Sequence, residues 1–235
     1  MDVNRHKFYM LQILKDIYSD PKLSTALGFK GGTALMFFYN LPRFSVDLDF
    51  NLLAPDRGKQ VFDAVRNILL HYGKIHDEAM KFYGSVLVLD YGVGERKLKV
   101  EVSNRLYQNP NHYEVRNMLG INMKVMTESD MFAHKLCALL DREDTTNRDI
   151  FDCWFFLNRH TPINKKIVEE RMQMPLADYI GKCIKHLQAL PEKSLLDGLG
   201  ELTTSEIKKF VRLSLHSEII SLMQIFQTFP LVAAN

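Results

Sequence analysis

The sequence predicts an α+β protein, with helices and strands alternating over residues 1–126 and an all-helical carboxyl-terminal domain over residues 127–235. Three observations carry this. Lys97-Leu-Lys-Val-Glu-Val-Ser103 alternates apolar and polar residues with period two, as a half-buried strand does. Val61, Val65, Ile68 and Leu69 recur at helical spacing between Gln60 and Tyr72. Beyond Val125 no β-rich run follows, and helical patterns take over.

In order along the chain, a helix is expected from Val3 to Tyr18, with Phe8, Leu11, Leu14 and Ile17 on one stripe, ended by Pro21. Thr33 to Tyr39 reads as a short helix rising from Gly31-Gly32 and broken by Asn40-Leu41-Pro42. Val46 to Leu52 reads as a strand, and the Gln60–Tyr72 helix follows. Ser85 to Tyr91 and Lys97 to Ser103 are strands joined through Gly92-Val-Gly94. Thr127-Glu-Ser-Asp130 resembles a capping box that opens a helix to Leu140. Further helices are expected over Arg148–Asn158, Asn164–Met172, Leu176–Leu190 and Thr204–Phe229.

The 235 residues suffice to bury a core in one large domain or two small ones. A formal charge of +2 argues against a strongly basic nucleic-acid binder, though a local basic patch is compatible with it. Cys137, Cys153 and Cys183 are far apart and form no C-x-x-C pair, so reduced buried thiols in a cytoplasmic protein are expected, with no disulfide framework or zinc site. No secretory signal and no apolar run long enough to span a membrane is seen.

The chemistry concentrates in Gly31-Gly32-Thr33-Ala34-Leu35 and Arg43-Phe44-Ser45-Val46-Asp47-Leu48-Asp49-Phe50. On a strand, Asp47 and Asp49 share one face while Leu48 and Phe50 face the core. Neighbouring carboxylates repel unless a cation completes them, and oxygen-only ligands suit Mg²⁺ with substrate phosphates. Glu101, on the alternating strand, is a candidate third carboxylate; its alternative is a solvated residue balanced by Lys97 and Lys99. Gly31, Gly32 and Thr33, before a helix, can bring backbone N–H groups to a phosphate, although a lone Gly-Gly also serves an ordinary turn. Arg43 can neutralise triphosphate charge and Ser45 can bond the loop or a phosphate; a surface arginine in a turn is the plainer reading. Lys135 can reach a triphosphate or snorkel outward beside its apolar stripe. Asp149 suits a helix start, whereas Asp152, one turn in, is less easily explained that way. His134 has no metal-ligand spacing around it and reads as structural.

Taken together, Gly-Gly-Thr-Ala-Leu, Arg43-x-Ser45-x-Asp47-Leu-Asp49-Phe, Lys135-Leu-x-Ala-Leu-x-x-Arg142 and Arg148-Asp-x-x-Asp152 resemble the AbiEii/AbiGii nucleotidyltransferase toxin family, which includes the MenT toxins and belongs to the polymerase-β-like superfamily. The resemblance spans roughly residues 25–160. It implies a mixed sheet flanked by helices, a helical domain forming the other wall of a cleft, and transfer of an NMP from an NTP with Mg²⁺, two ions in the fullest form and Mn²⁺ as a substitute. It implies Asp47 and Asp49 as the metal pair with Glu101 as a candidate third ligand, Gly32 and Thr33 as the phosphate turn, and Lys135 and Asp152 as the two later motif residues. Expected partners are an NTP, an RNA acceptor such as tRNA, and a cognate antitoxin, with neither DNA nor membrane. The alternatives are a nucleotidyltransferase acting on a small molecule of the antibiotic type and a non-catalytic nucleotide-binding module of the same fold.

Overall fold

A computed structural model describes residues 2–141, 146–190, 195–196, 198–199 and 203–234. Arg142, part of the third motif, lies outside the described residues. By internal contacts the chain forms two units. The first comprises Met1–Phe38, Ser45–Leu106 and His112–Met126; the second comprises Tyr39–Phe44, Tyr107–Asn111 and Thr127–Asn235.

The first unit is built on a mixed sheet with seven strands among the described residues. The strands are β1 (Leu27–Lys30), β2 (Leu48–Leu52), β3 (Lys74–Lys81), β4 (Gly84–Asp90), β5 (Leu98–Ser103), β6 (Tyr113–Met118) and β7 (Ile121–Met126), and their spatial order is β3-β4-β5-β2-β1-β7-β6. β2 runs parallel to β5 and β1 parallel to β7; the other neighbours are antiparallel. The helices of this unit are α1 (Val3–Ser19), α2 (Pro21–Ala26), α3 (Gly31–Phe38) and α4 (Gly58–Leu70).

Period-two alternation divides the sheet into an apolar and a polar face. Leu48, Phe50 and Leu52 are buried beside their neighbours Leu27, Phe29, Val100 and Val102. Met10, Ile13, Leu14 and Ile17 of α1 and Val61, Val65 and Leu69 of α4 complete this core. Each such side chain contributes about 1.5–3 kcal/mol by leaving water. The opposite face carries a row that register fixes across five strands: Lys30, Asp49, Glu101, Val86 and Ala79.

In several places the elements differ from expectation. Pro21 opens α2 at its first turn, where its missing N–H costs nothing, and Asp20 caps that helix by accepting from the N–H groups of Lys22 and Leu23. The aspartate strand starts at Leu48, so Asp47 lies on the extended chain leading into it. β1, β3, β6 and β7 are additional strands. The single helix expected from Thr204 to Phe229 is two, α9 (Ser205–Leu213) and α10 (Leu215–Thr228), with Ser214 between them.

The second unit contains α5 (Glu128–Asp141), α6 (Asn147–Asn158), α7 (Lys165–Met172), α8 (Leu176–Ala189), α9 and α10. Phe132, Phe156 and Phe226 pack their rings in its core. Cys137, Cys153 and Cys183 are buried free thiols there. Among the described residues no helix is long and apolar enough to cross a membrane.

Candidate active site

In the first unit the polar sheet face gathers carboxylates and cations. Asp49 stands in register between Lys30 of β1 and Glu101 of β5. The Lys99 ammonium lies 3.0 Å from Glu101 Oε2 and 4.0 Å from Asp47 Oδ2. Burial pushes the Asp49 carboxyl above its ordinary range; Lys99 and Lys30 pull it down, and the negative charges of Asp47 and Glu101 push it up again. Burial lowers the Lys99 ammonium, but Asp47, Glu101 and Asp49 outweigh it and raise the group overall. Burial is therefore the leading effect at Asp49, and Lys99 and Lys30 each act on it more strongly than Asp47 or Glu101 does.

The glycine turn lies against this cluster. Gly31 has φ +81°, a left-handed conformation that glycine adopts without penalty. A Cβ at Gly31 would fall 2.6 Å from Asp49 Oδ2, so the backbone approaches the carboxylate closer than any side chain would allow. The buried Thr33 hydroxyl donates to the Asp47 carbonyl and ties the first turn of α3 to the chain entering β2. Ser45 is buried just before that chain.

His6 supports the same segment from α1. Its Nε2 donates to the Val46 carbonyl at 2.8 Å, one residue before Asp47, and its Nδ1 meets the Tyr91 hydroxyl. Burial lowers its pKa more than the Val46 carbonyl raises it, so the ring stays neutral near pH 7. Sequence reading missed His6, because a lone histidine on a helix gives no sign of a partner 40 residues away. Lys99 was visible as a neighbour of Glu101; its link to Asp47 was not.

The remaining residues singled out in the sequence cluster in the second unit. Arg43 donates through Nε and Nη2 to both oxygens of Asp152, each at 2.7 Å. Lys135 Nζ lies 2.8 Å from both Asp149 Oδ1 and Asp152 Oδ2. Thr146 caps α6, and its hydroxyl donates to Asp149 Oδ2. Burial pushes the Asp152 carboxyl up, but Arg43 and Lys135 outweigh it and hold the group below its ordinary range. Lys135 is raised in turn: Asp152 and Asp149 overcome the effect of burial. Two cations and two anions balance, which is how buried charge is tolerated. His134 bonds Asn111 and Arg171 and so is held in place within this unit.

The donor set of the polar face suits a hard divalent cation, being oxygen-only and made of closely spaced carboxylates. Asp47 and Asp49 are the pair that could hold one. Among the described residues no group of three or more His, Cys, Asp or Glu side chains is arranged as a metal cage. Glu101 instead directs its carboxylate to Lys99.

The sequence matches the family described as nucleotidyl transferase AbiEii toxin of type IV toxin–antitoxin systems over residues 12–221. The chain belongs to the AbiEii family. It is therefore a nucleotidyltransferase, of a class that generally uses divalent metal ions, and its family is one of toxin–antitoxin toxins. Two structures from Helicobacter pylori share the fold. One, proposed to be a nucleotidyltransferase, is 23% identical with a TM-score of 0.63, covering 96% of this chain and 95% of its own. The other, JHP933, is 22% identical with a TM-score of 0.61, covering 96% of this chain and 92% of its own. Comparison with curated proteins gives no match.

Proposed function

We propose that this AbiEii-family chain transfers a nucleoside monophosphate from an NTP to a hydroxyl of an RNA acceptor, with Mg²⁺ held by Asp47 and Asp49. The observation that carries the reading is the placement of Asp47 and Asp49 near enough to act on each other, with the Gly31 turn pressed against Asp49. When bound, Mg²⁺ would offset charge on the triphosphate and on the departing pyrophosphate.

The protein's own residues do the positioning. Thr33 donates to the Asp47 carbonyl and His6 to the Val46 carbonyl, so the backbone that carries the Asp47 carboxylate is set before substrate arrives. Gly31, Gly32 and Thr33 open α3, where N–H groups and the helix dipole favour an anion. Lys30 and Lys99 add positive charge on the same sheet face. Glu101, in register beside Asp49 on the same sheet face, is the candidate to take the acceptor's proton. Asp152 is held ionised by Arg43 and Lys135, which makes it a weak base. Arg43 and Lys135 enter this reading as the pair that holds Asp152.

On the polar sheet face Lys30, Lys99 and, at its margin, Lys81 offer cations that the phosphates of an RNA acceptor would meet. The reading sets the reaction in the cytoplasm, where NTPs and RNA meet, with a cognate antitoxin restraining it. Incubation with each α-labelled NTP, Mg²⁺ and total bacterial RNA tests it. Wild type should label RNA with at least one NTP, and Asp47→Ala or Asp49→Ala should lose that labelling while remaining folded. Unlabelled RNA with all four NTPs would remove the RNA acceptor.

A further inference from the structure

The hairpin joining β3 to β4 ends in two exposed aromatic rings. Lys81 pairs with Gly84, so Phe82 and Tyr83 alone form the loop. Two-residue hairpin loops ordinarily use Gly, Asn or Asp, whose backbones suit the turn. Here Phe82 is 85% exposed and Tyr83 59% exposed. Folding does not ask for them, and large exposed apolar side chains grouped together mark contact sites.

The tip is braced. Asn104 donates from its backbone N–H to the Tyr83 carbonyl and from Nδ2 to the Phe82 carbonyl, both at 3.1 Å. Gly84, at φ +147°, leaves no room for a Cβ, which would fall 2.3 Å from the Val102 carbonyl oxygen. The two rings meet edge-on at 4.8 Å between centroids, and the Arg105 guanidinium lies 5.1 Å from the Tyr83 centroid. The local segments, residues 80–84 and 103–106, contain Lys81 and Arg105 and no acidic residue. Exposed aromatics on a braced backbone, interleaved with cations, match what single-stranded nucleic acid needs: π-faces for bases and positive charge for phosphates.

Register places the tip relative to Asp49. Asp49 pairs with Glu101 and Glu101 with Val86, three residues after Tyr83. Two strand steps across and three residues along the sheet make about 14 Å. A few nucleotides of extended single strand span that distance. Resting on the RNA-acceptor reading above, we infer that Phe82, Tyr83 and Arg105 form a stacking platform for an unpaired base of the acceptor, a short way back from the reacting hydroxyl.

The test is binding, without NTP, of a single-stranded oligoribonucleotide carrying 2-aminopurine near its 3′ end. Wild type should bind and quench the fluorophore by stacking. The Phe82→Ala/Tyr83→Ala double variant should bind about tenfold or more weakly and lose the quench. Tyr83→Trp should keep both. Melting curves confirm that these exposed substitutions leave the fold intact. Equal affinity and equal quench in the double variant, or no binding by wild type, would overturn the platform. RNA that binds through the tip but is never labelled by any NTP overturns the transfer reading and leaves the platform standing. RNA labelled with the same KM by wild type and the double variant overturns the platform alone.

Discussion

Asp49 and Asp152 are both aspartates in charged clusters, and their environments push them in opposite directions. Asp49 is raised, so the fold favours its neutral form. Its contribution to stability is complete below the ordinary carboxylate range and is lost as pH rises through its folded pKa. Asp49→Asn should therefore melt above wild type at neutral pH, with the gap closing in acid, while NMP transfer is lost. That is the pattern of a group kept for function against stability. Asp152 is lowered, so its contribution is present above the ordinary range and is lost as pH falls through its folded pKa. Asp152→Ala removes the partner of Arg43 and one partner of Lys135. It should destabilise by about 3–5 kcal/mol at neutral pH, less in acid, as read by denaturant unfolding. The Asp47/Asp49 pair was singled out from spacing, and in the structure Asp47 lies just ahead of β2 with Lys99 acting on both acids. The Arg43–Asp152 contact joins residues 109 apart, a partnership that only the folded chain reveals.

The turn from β1 into α3 places the backbone that the carboxylates lean on. Gly31→Ala would meet both a left-handed φ and the Asp49 side chain. The backbone strain costs about 1–2 kcal/mol. The displaced carboxylate should reduce NMP transfer by far more than the fall in Tm explains, and parallel melting and transfer assays separate the two effects. Elements with strong periodicity were readable: α4, β4 and β5 lie within two residues of expectation. The others lacked local signals. β3, Lys-Ile-His-Asp-Glu-Ala-Met-Lys, is an edge strand whose polar residues show no alternation, and it owes its form to pairing with β4. β1 is four residues between two helices. The β6–β7 hairpin turns on Leu119-Gly120, both at positive φ, where leucine disguises a turn usually marked by Asn-Gly. The break at Ser214 carries neither Gly nor Pro to announce it.

Across the whole chain, the family match covers residues 12–221 and the Helicobacter pylori structures share the fold. The polar face of the sheet joins a carboxylate pair, a glycine turn and two lysines, and within the second unit Arg43, Lys135, Asp149 and Asp152 form a charge-balanced network. The glycine turn and the aspartate pair lie close together in sequence, which is why they could be singled out before folding. Lys99 and His6 join them only through strand pairing and helix packing. In the proposed reaction Asp47 and Asp49 would complete their charge with a divalent ion in the presence of nucleotide. Calorimetric titration of Mg²⁺ with a non-hydrolysable NTP analogue into wild type and Asp49→Asn measures this directly. Wild type should bind nucleotide saturably and only with Mg²⁺, and the variant should bind at least about tenfold more weakly. Equal affinity in the two proteins, or wild-type binding indifferent to Mg²⁺, would contradict the proposal.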